Sequence, residues 1–109
     1  MNDITLADFP REVLQSRTPV LVDIYTDTCK PCRDIAPVLD QIALDRGSAL
    51  KIVKVNAVTQ GPLATQLGAR SVPTLLLFLN GRVVGQRTGA VSRPDLEKWL
   101  TERLAVARK

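Results

Sequence analysis

The sequence contains no histidine and only two cysteines, so it has few of the side chains that bind transition metals. A structural zinc site needs four ligands, which are usually His and Cys side chains in spaced pairs. Cys29 and Cys32 form one pair, and the chain has no second pair to complete such a site. We therefore expect no metal centre, and the two thiols need another explanation.

Long apolar runs are also missing, and aromatic side chains are few. No apolar stretch approaches the roughly 20 residues that a membrane-spanning helix needs. The N-terminus lacks the basic region and apolar stretch of a secretory signal, which predicts a cytoplasmic protein with no membrane partner. Aromatic residues make up 4% of the chain and apolar residues 45%, so we expect a core of Val, Leu, Ile and Ala.

Charge is modest and spread along the chain. The 15 Lys and Arg residues against 11 Asp and Glu residues give a net charge of +4. Binding of nucleic acids is usually accompanied by a clustered basic stripe and stacking aromatic residues, so we expect no nucleic-acid partner. The length predicts a single domain over residues 1–109. Since the apolar pattern leaves no surplus face, a monomer is expected.

The spacing of apolar residues predicts alternating strands and helices. Apolar runs at residues 19–25 and 50–55 are typical of strands that are covered on both faces. Spacings of three and four predict helices over residues 8–15 and 32–46, around 63–67, and from 92 onward. In the first helix, Phe9, Val13 and Leu14 are expected to face inward. Asn80-Gly81, between the runs 74–79 and 83–87, predicts a β-hairpin.

Together these elements predict an α/β fold. Strands separated by helices form parallel pairs with helices on both faces of the sheet, and the hairpin adds antiparallel strands. The central sheet is therefore expected to be mixed. The last helix is predicted to begin after Ser92, because Ser92 and Asp95 have the spacing of a capping box with Asp in place of Glu or Gln.

The two cysteines stand where a buried strand passes through the polar turn at residues 26–28 into a helix. At a helix N-terminus, the unpaired N–H groups and the helix dipole stabilise an anion, which here is the thiolate of Cys29. Cys32, one turn further, is then placed to resolve a mixed disulfide, and Pro31 restrains the turn between them. Two structural thiols in the core remain an alternative, because free Cys is often buried.

With these motifs placed, the chain resembles the thioredoxin family from about residue 4 to residue 104. Several separated features carry the resemblance in the same order: Val20-Leu21-Val22-Asp23, Cys29-Lys30-Pro31-Cys32, Ile35-Ala36-Pro37, Val53-Lys54-Val55-Asn56, Val72-Pro73-Thr74-Leu75, Phe78-Leu79-Asn80-Gly81 and Gly89-Ala90. The resemblance implies a thioredoxin fold and an enzyme that reduces exposed protein disulfides. It also implies that no cofactor is bound and that an external dithiol reductant, such as a thioredoxin reductase, restores the reduced form.

The resemblance further implies a proton-handling pair behind the cysteines. Asp23 would be the buried carboxylate that helps move the proton of Cys32, directly or through water, and Lys54 would be the cation near it. Independently, an unpaired carboxylate in an apolar strand is costly, so Asp23 needs a raised pKa or a partner. A carboxylate that is merely satisfied by Lys54 or by a backbone donor is the alternative.

A docking surface for substrates is implied by the same resemblance. Pro73 would be a cis proline that faces the disulfide, and the backbone of Val72 would pair with the substrate peptide. Gly89 would keep this surface open, and Ala90 follows it. Without the resemblance, Pro73 reads as an ordinary trans proline at the start of a strand, because few X–Pro bonds are cis.

The chain departs from the family pattern around the cysteines. Thr28 replaces the usual Trp, Lys30 the usual Gly, and Asp34 a usually apolar residue, while Tyr25 stands where Trp is common. Thr28, Lys30 and Pro31 are expected on the docking rim, so these changes affect partner choice more than chemistry. Lys30 is expected to make the protein a slightly weaker reductant.

Two other functions stay open at this point. Thr28 and Lys30 favour a thioredoxin-fold binding or adaptor module in which redox activity is secondary. An oxidant or isomerase of an oxidising compartment would need a leader segment that this sequence does not display.

Overall fold

A computed structural model of the chain describes residues 1–108. Within these residues, five strands form one sheet in the order β1-β3-β2-β4-β5. The strands are β1 (Asn2–Asp3), β2 (Val20–Tyr25), β3 (Lys51–Asn56), β4 (Thr74–Leu79) and β5 (Arg82–Thr88). Strands β1, β3 and β2 are parallel, whereas β4 and β5 are antiparallel to their neighbours, which confirms the predicted mixed sheet.

Three α-helices occur in the described part of the chain: α1 (Lys30–Arg46), α2 (Gly61–Gln66) and α3 (Arg93–Ala107). Helix α1 begins earlier than predicted because Cys29 is its N-cap. Helix α3 begins at the predicted place, where the Ser92 hydroxyl accepts a hydrogen bond from the Asp95 N–H. None of the helices within residues 1–108 has the length and apolar character needed to cross a membrane.

The sheet carries a hydrophobic core on each face, because successive strand residues point to opposite sides. On one face, Val20, Val22 and Ile24 pack with Phe9 and Val13 and with residues of α2. On the other face, the core under α1 and α3 includes Leu21, Leu75 and Leu77. Helices therefore cover both faces, as predicted.

This alternation decides where the polar residues of β2 lie. Asp23 and Tyr25 follow Leu21 at a spacing of two, so they lie on the face that α1 covers.

The helix predicted over residues 8–15 is present as a shorter element, but the prediction that Leu14 faces inward is wrong. The chain forms a π-helical turn over Pro10–Leu14, in which the Gln15 N–H donates to the Pro10 carbonyl oxygen at 2.9 Å. A wider turn rotates each successive side chain through a smaller angle than an α-helix does. Phe9 and Val13 are buried as expected, but Leu14 is 41% exposed.

The predicted hairpin is present. Asn80 and Gly81 have φ values of 53° and 79°, and a two-residue turn of this kind needs positive φ at both positions. Strand β1 had no counterpart in the sequence-based prediction, because two residues are too few to show a periodic pattern.

Three connecting segments meet at one end of the sheet. The pairing of Ile24 with Thr74 places the start of β4 beside the end of β2. The pairing of Thr74 with Thr88 places the end of β5 at the same level. The segments that follow β2, precede β4 and follow β5 therefore lie close together.

Candidate active site

Cys29 and Cys32 are joined by a disulfide bond where α1 begins. Their Cα atoms are 5.3 Å apart, which is within the usual range for a disulfide. Cys29 has an extended backbone, and its Sγ accepts a hydrogen bond from the Cys32 N–H at 3.2 Å. The sulfur of Cys29 thus occupies the N-cap position of a 17-residue helix.

The two cysteines differ in their access to solvent. Cys32 is only 4% exposed, whereas Cys29 is half-buried and its neighbours Thr28 and Lys30 are exposed. At the helix N-terminus, the free N–H groups stabilise a thiolate on the more accessible sulfur. The alternative of two thiols sealed in the core does not fit this arrangement.

Asp23 lies behind the disulfide on the α1 side of the sheet. Asp23 and Cys32 both line a cavity of about 170 Å³. The carboxyl is 1% exposed, and its Oδ1 atom has no hydrogen-bond partner. Burial raises the pKa of Asp23 to about 6, although the positive charge of Lys54 lowers this pKa and the negative charge of Asp3 raises it. A carboxyl with a pKa near neutrality can both accept and return a proton.

Lys54 is aligned with Asp23 on the neighbouring parallel strand β3. Its Nζ atom lies 4.3 Å from the centroid of the Tyr25 ring, in a cation–π contact. The Tyr25 hydroxyl in turn donates a hydrogen bond to Asp3 Oδ1 at 2.5 Å. Lys54 therefore acts on Asp23 through its charge, and the free Oδ1 of Asp23 rules out that a hydrogen bond from Lys54 satisfies this oxygen.

Sequence reasoning missed several residues around this cavity. Asp27 and Arg33 line it together with Thr26 and Ala36. Their positions in the turn before Cys29 and in the first turn of α1 were the available signal. Asp3 gave no signal, because it lies in a two-residue strand. Among the residues that the structure describes, no group of three or more His, Cys, Asp or Glu residues is placed to hold a metal ion.

The docking residues implied by the family resemblance lie at the same end of the sheet as Cys29. The Val72–Pro73 peptide bond is cis. The Gly89 N–H donates to the Pro73 carbonyl oxygen at 3.0 Å, and the exposed Ala90 follows. Gly89 has a φ of 82°, and a Cβ built there would meet nothing within 4 Å. The structure thus brings these four residues together around an open backbone.

The rim residue Lys30 is not a free charge. Its Nζ lies 2.9 Å from Asp34 Oδ2, one helical turn further along α1, and both side chains are largely exposed. Thr28 is exposed and Pro31 is half-buried. The two unusual charges of the rim therefore partly cancel each other.

The chain is similar to known proteins over nearly its whole length. The family model described as thioredoxin matches residues 1–102. Thioredoxin 1 of Synechococcus elongatus is 44% identical over 101 residues, which cover 93% of this chain and 94% of the relative. Thioredoxin 1 of Nostoc sp. is 43% identical with the same coverage. The thioredoxin of Haemophilus influenzae is 40% identical over 98 residues, which cover 90% of this chain and 92% of the relative.

These matches and the Cys29–Cys32 disulfide lead to one assignment. The chain belongs to the thioredoxin family and is a thiol–disulfide oxidoreductase of the disulfide-reductase type.

Proposed function

We propose that this protein reduces exposed disulfide bonds of other proteins, with Cys29 as the attacking thiolate and Cys32 as the resolving thiol. One observation carries the proposal: the half-buried Cys29 caps the helix, while the buried Cys32 lines a cavity with Asp23. This arrangement gives one sulfur access to a partner and the other sulfur access to a base.

In the first step, the Cys29 thiolate attacks one sulfur of the substrate disulfide. A bond forms between Cys29 Sγ and that sulfur, the substrate S–S bond breaks, and the second substrate sulfur leaves as a thiolate. The helix N-terminus favours the attacking form, because its N–H groups stabilise the negative charge on Cys29.

In the second step, the Cys32 thiol gives its proton to the Asp23 carboxylate, directly or through a water molecule in the shared cavity. The resulting thiolate attacks Cys29 Sγ, the mixed disulfide breaks, and the substrate leaves as a dithiol after taking up protons. The reduced Cys29–Cys32 pair has then given two electrons to the substrate and has become a disulfide. Lys54 supports this step, since its positive charge favours the ionised form of Asp23.

The substrate segment is proposed to dock beside Val72, Pro73, Gly89 and Ala90. An extended peptide can pair with exposed backbone at the end of a sheet, and the open surroundings of Gly89 leave room for it. Thr28, Lys30 and Pro31 form the opposite rim and are proposed to select among partners.

An external dithiol reductant, such as a thioredoxin reductase, is proposed to restore the reduced cysteines. The electrons reside in the cysteine pair itself, so the cycle requires no bound cofactor. The protein is also proposed to act as a monomer in the cytoplasm, where thiol reductants are abundant.

Reduction of insulin driven by a dithiol tests the proposal. Wild type is expected to accelerate the reaction, and Cys29→Ser is expected to abolish the acceleration. Leu44→Ser, at a residue of α1 that is 82% exposed, is the matched control and is expected to retain activity. Equal activity of wild type and Cys29→Ser would contradict the proposal, and no turnover by either would favour the adaptor function.

A further inference from the structure

Lys54 and Asp23 carry opposite charges side by side, yet they do not close an ion pair. The two residues are aligned on adjacent parallel strands, so their side chains emerge on the same face of the sheet. Opposite charges in such positions ordinarily attract each other into contact. Here the Asp23 Oδ1 atom stays without a hydrogen-bond partner, while the Lys54 ammonium lies over the ring of Tyr25.

The Tyr25 ring is fixed in place from two directions. Tyr25 is two residues beyond Asp23 in β2, so its ring rises from the same face. Its hydroxyl is held by the carboxylate of Asp3 at 2.5 Å. Asp3 belongs to β1, where it is aligned with Lys54 itself, so the short edge strand brings the anchor to the ring.

We propose that Tyr25 is a positioning residue whose ring, anchored by Asp3, holds the Lys54 ammonium away from Asp23 and so leaves that carboxyl free to take the proton of Cys32. The transfer of the Cys32 proton to Asp23 rests on the function proposed above, whereas the position of Lys54 over the ring does not. A closed ion pair would stabilise the carboxylate and make it a weaker base. A cation–π contact keeps the positive charge nearby, so Lys54 lowers the pKa of Asp23 less than a closed ion pair would.

Other charged and titratable groups share the surroundings of Asp23. They come from β1, β2, the following turn, α1 and β3: Asp3, Tyr25, Asp27, Cys32, Arg33 and Lys54. On β4 the aligned neighbour is Leu75, which brings no charge. The test below changes only Tyr25 and Lys54, so the contributions of the remaining groups are held constant.

An NMR titration of the oxidised protein tests this proposal. The chemical shift of the Asp23 carboxyl carbon is followed as a function of pH and gives the pKa of that carboxyl. In wild type the titration is expected to give a pKa of about 6, because burial raises the pKa of Asp23. Replacing the ring by an aliphatic side chain, Tyr25→Leu, is expected to let Lys54 reach Asp23 and to lower the pKa towards the usual value of about 3.9. Tyr25→Phe keeps the ring but loses the hydrogen bond to Asp3, so its pKa is expected to lie between those of wild type and Tyr25→Leu.

The same substitution in a Lys54→Met variant separates two effects on the pKa of Asp23: the release of the Lys54 ammonium and the entry of water into the cavity. Removing the ring also opens the cavity, and better solvation lowers the pKa of a buried carboxyl by itself. In a Lys54→Met background there is no ammonium to release, so Tyr25→Leu is expected to lower the pKa of Asp23 only by the effect of solvation, which is a smaller fall than in the wild-type background. An equal fall in both backgrounds, or no fall in either, overturns the proposal.

Tyr25→Met is a second ringless variant of similar bulk, and it is judged by the same titration if Tyr25→Leu does not fold. The titration uses the oxidised protein without substrate, so its outcome is independent of insulin reduction. Failure of wild type to reduce insulin would end the proposed function, and the titration would still decide the placement of Lys54.

Discussion

Asp23 shows how a single buried group couples stability to pH. Its pKa is about 6 in the folded protein because burial disfavours the charged form, whereas in an unfolded chain the value is about 3.9. Between these two values the folded protein holds more protons than the unfolded chain. The free energy of unfolding therefore falls as pH rises from about 4 to about 6, and the loss stays in place at higher pH.

The Asp23→Asn variant is expected to remove this loss. The amide has the shape of the carboxyl but carries no charge, so the variant gains stability on the order of 3 kcal/mol above pH 7. Below about pH 4 the gain is expected to vanish, because the wild-type carboxyl is then protonated in both states. Urea unfolding of the oxidised proteins at several pH values measures the difference. A gain that does not change with pH would contradict this account.

Lys30 and Asp34 determine how far the rim alters the redox potential. One exposed charge beside a thiolate is worth about 6–20 mV in a two-electron couple. The reference potentials of thioredoxin itself and of a strong oxidant are about −270 and −120 mV, so one lysine does not bridge them. Because Asp34 pairs with Lys30, the net effect is smaller still, and the protein is expected to remain a reductant.

The Asp34→Asn variant tests this pairing. Without the carboxylate, the Lys30 charge stabilises the Cys29 thiolate more strongly, so the potential is expected to rise by at most about 20 mV. Lys30→Gln is expected to move the potential in the opposite direction. Equilibration with defined thiol–disulfide buffers measures both variants, and a wild-type potential above about −200 mV would show that the protein is not a reductant of the expected kind.

At the scale of the secondary-structure elements, strand β5 and helix α3 pack closely at Gly85. A Cβ on Gly85 would lie 2.8 Å from Cζ2 of Trp99 and 3.1 Å from Cγ of Arg103. Gly85→Ala is therefore expected to lower the free energy of unfolding by about 1–3 kcal/mol, as overpacking does. Gly61→Ala, where a Cβ would meet nothing within 4 Å, is the matched control. Denaturant unfolding compares the two, and equal effects would contradict the proposed clash.

The elements with strong apolar patterns could be predicted from the sequence. Strand β2 was visible because its run is apolar on both faces, and α1 because Ile35, Leu39 and Ile42 recur along one side. The turn at Asn80 was visible because few other residues adopt positive φ. The π-helical turn was not visible, since the pattern of apolar residues does not show that a turn has been widened at Pro10.

Across the whole molecule, the parts of the site that lie within one motif were the predictable ones. Cys29 and Cys32 follow from their spacing, and Asp23 stands out as a carboxyl in an apolar strand. The contact of Lys54 with Tyr25 was not predictable, because it depends on the register of two strands and on an anchor from β1. The interpretation as a single-domain monomer, and the roles of the docking residues, stay predictions.

The account depends most on the unequal roles of the two sulfurs, and one comparison measures this directly. Cys32→Ser and Cys29→Ser are each reduced and mixed with a small aromatic disulfide at neutral pH, and the rate of mixed-disulfide formation is followed. The account predicts that Cys32→Ser reacts many times faster and carries the adduct on Cys29, since Cys32 is only 4% exposed. Equal rates, or faster reaction at Cys32, would contradict it.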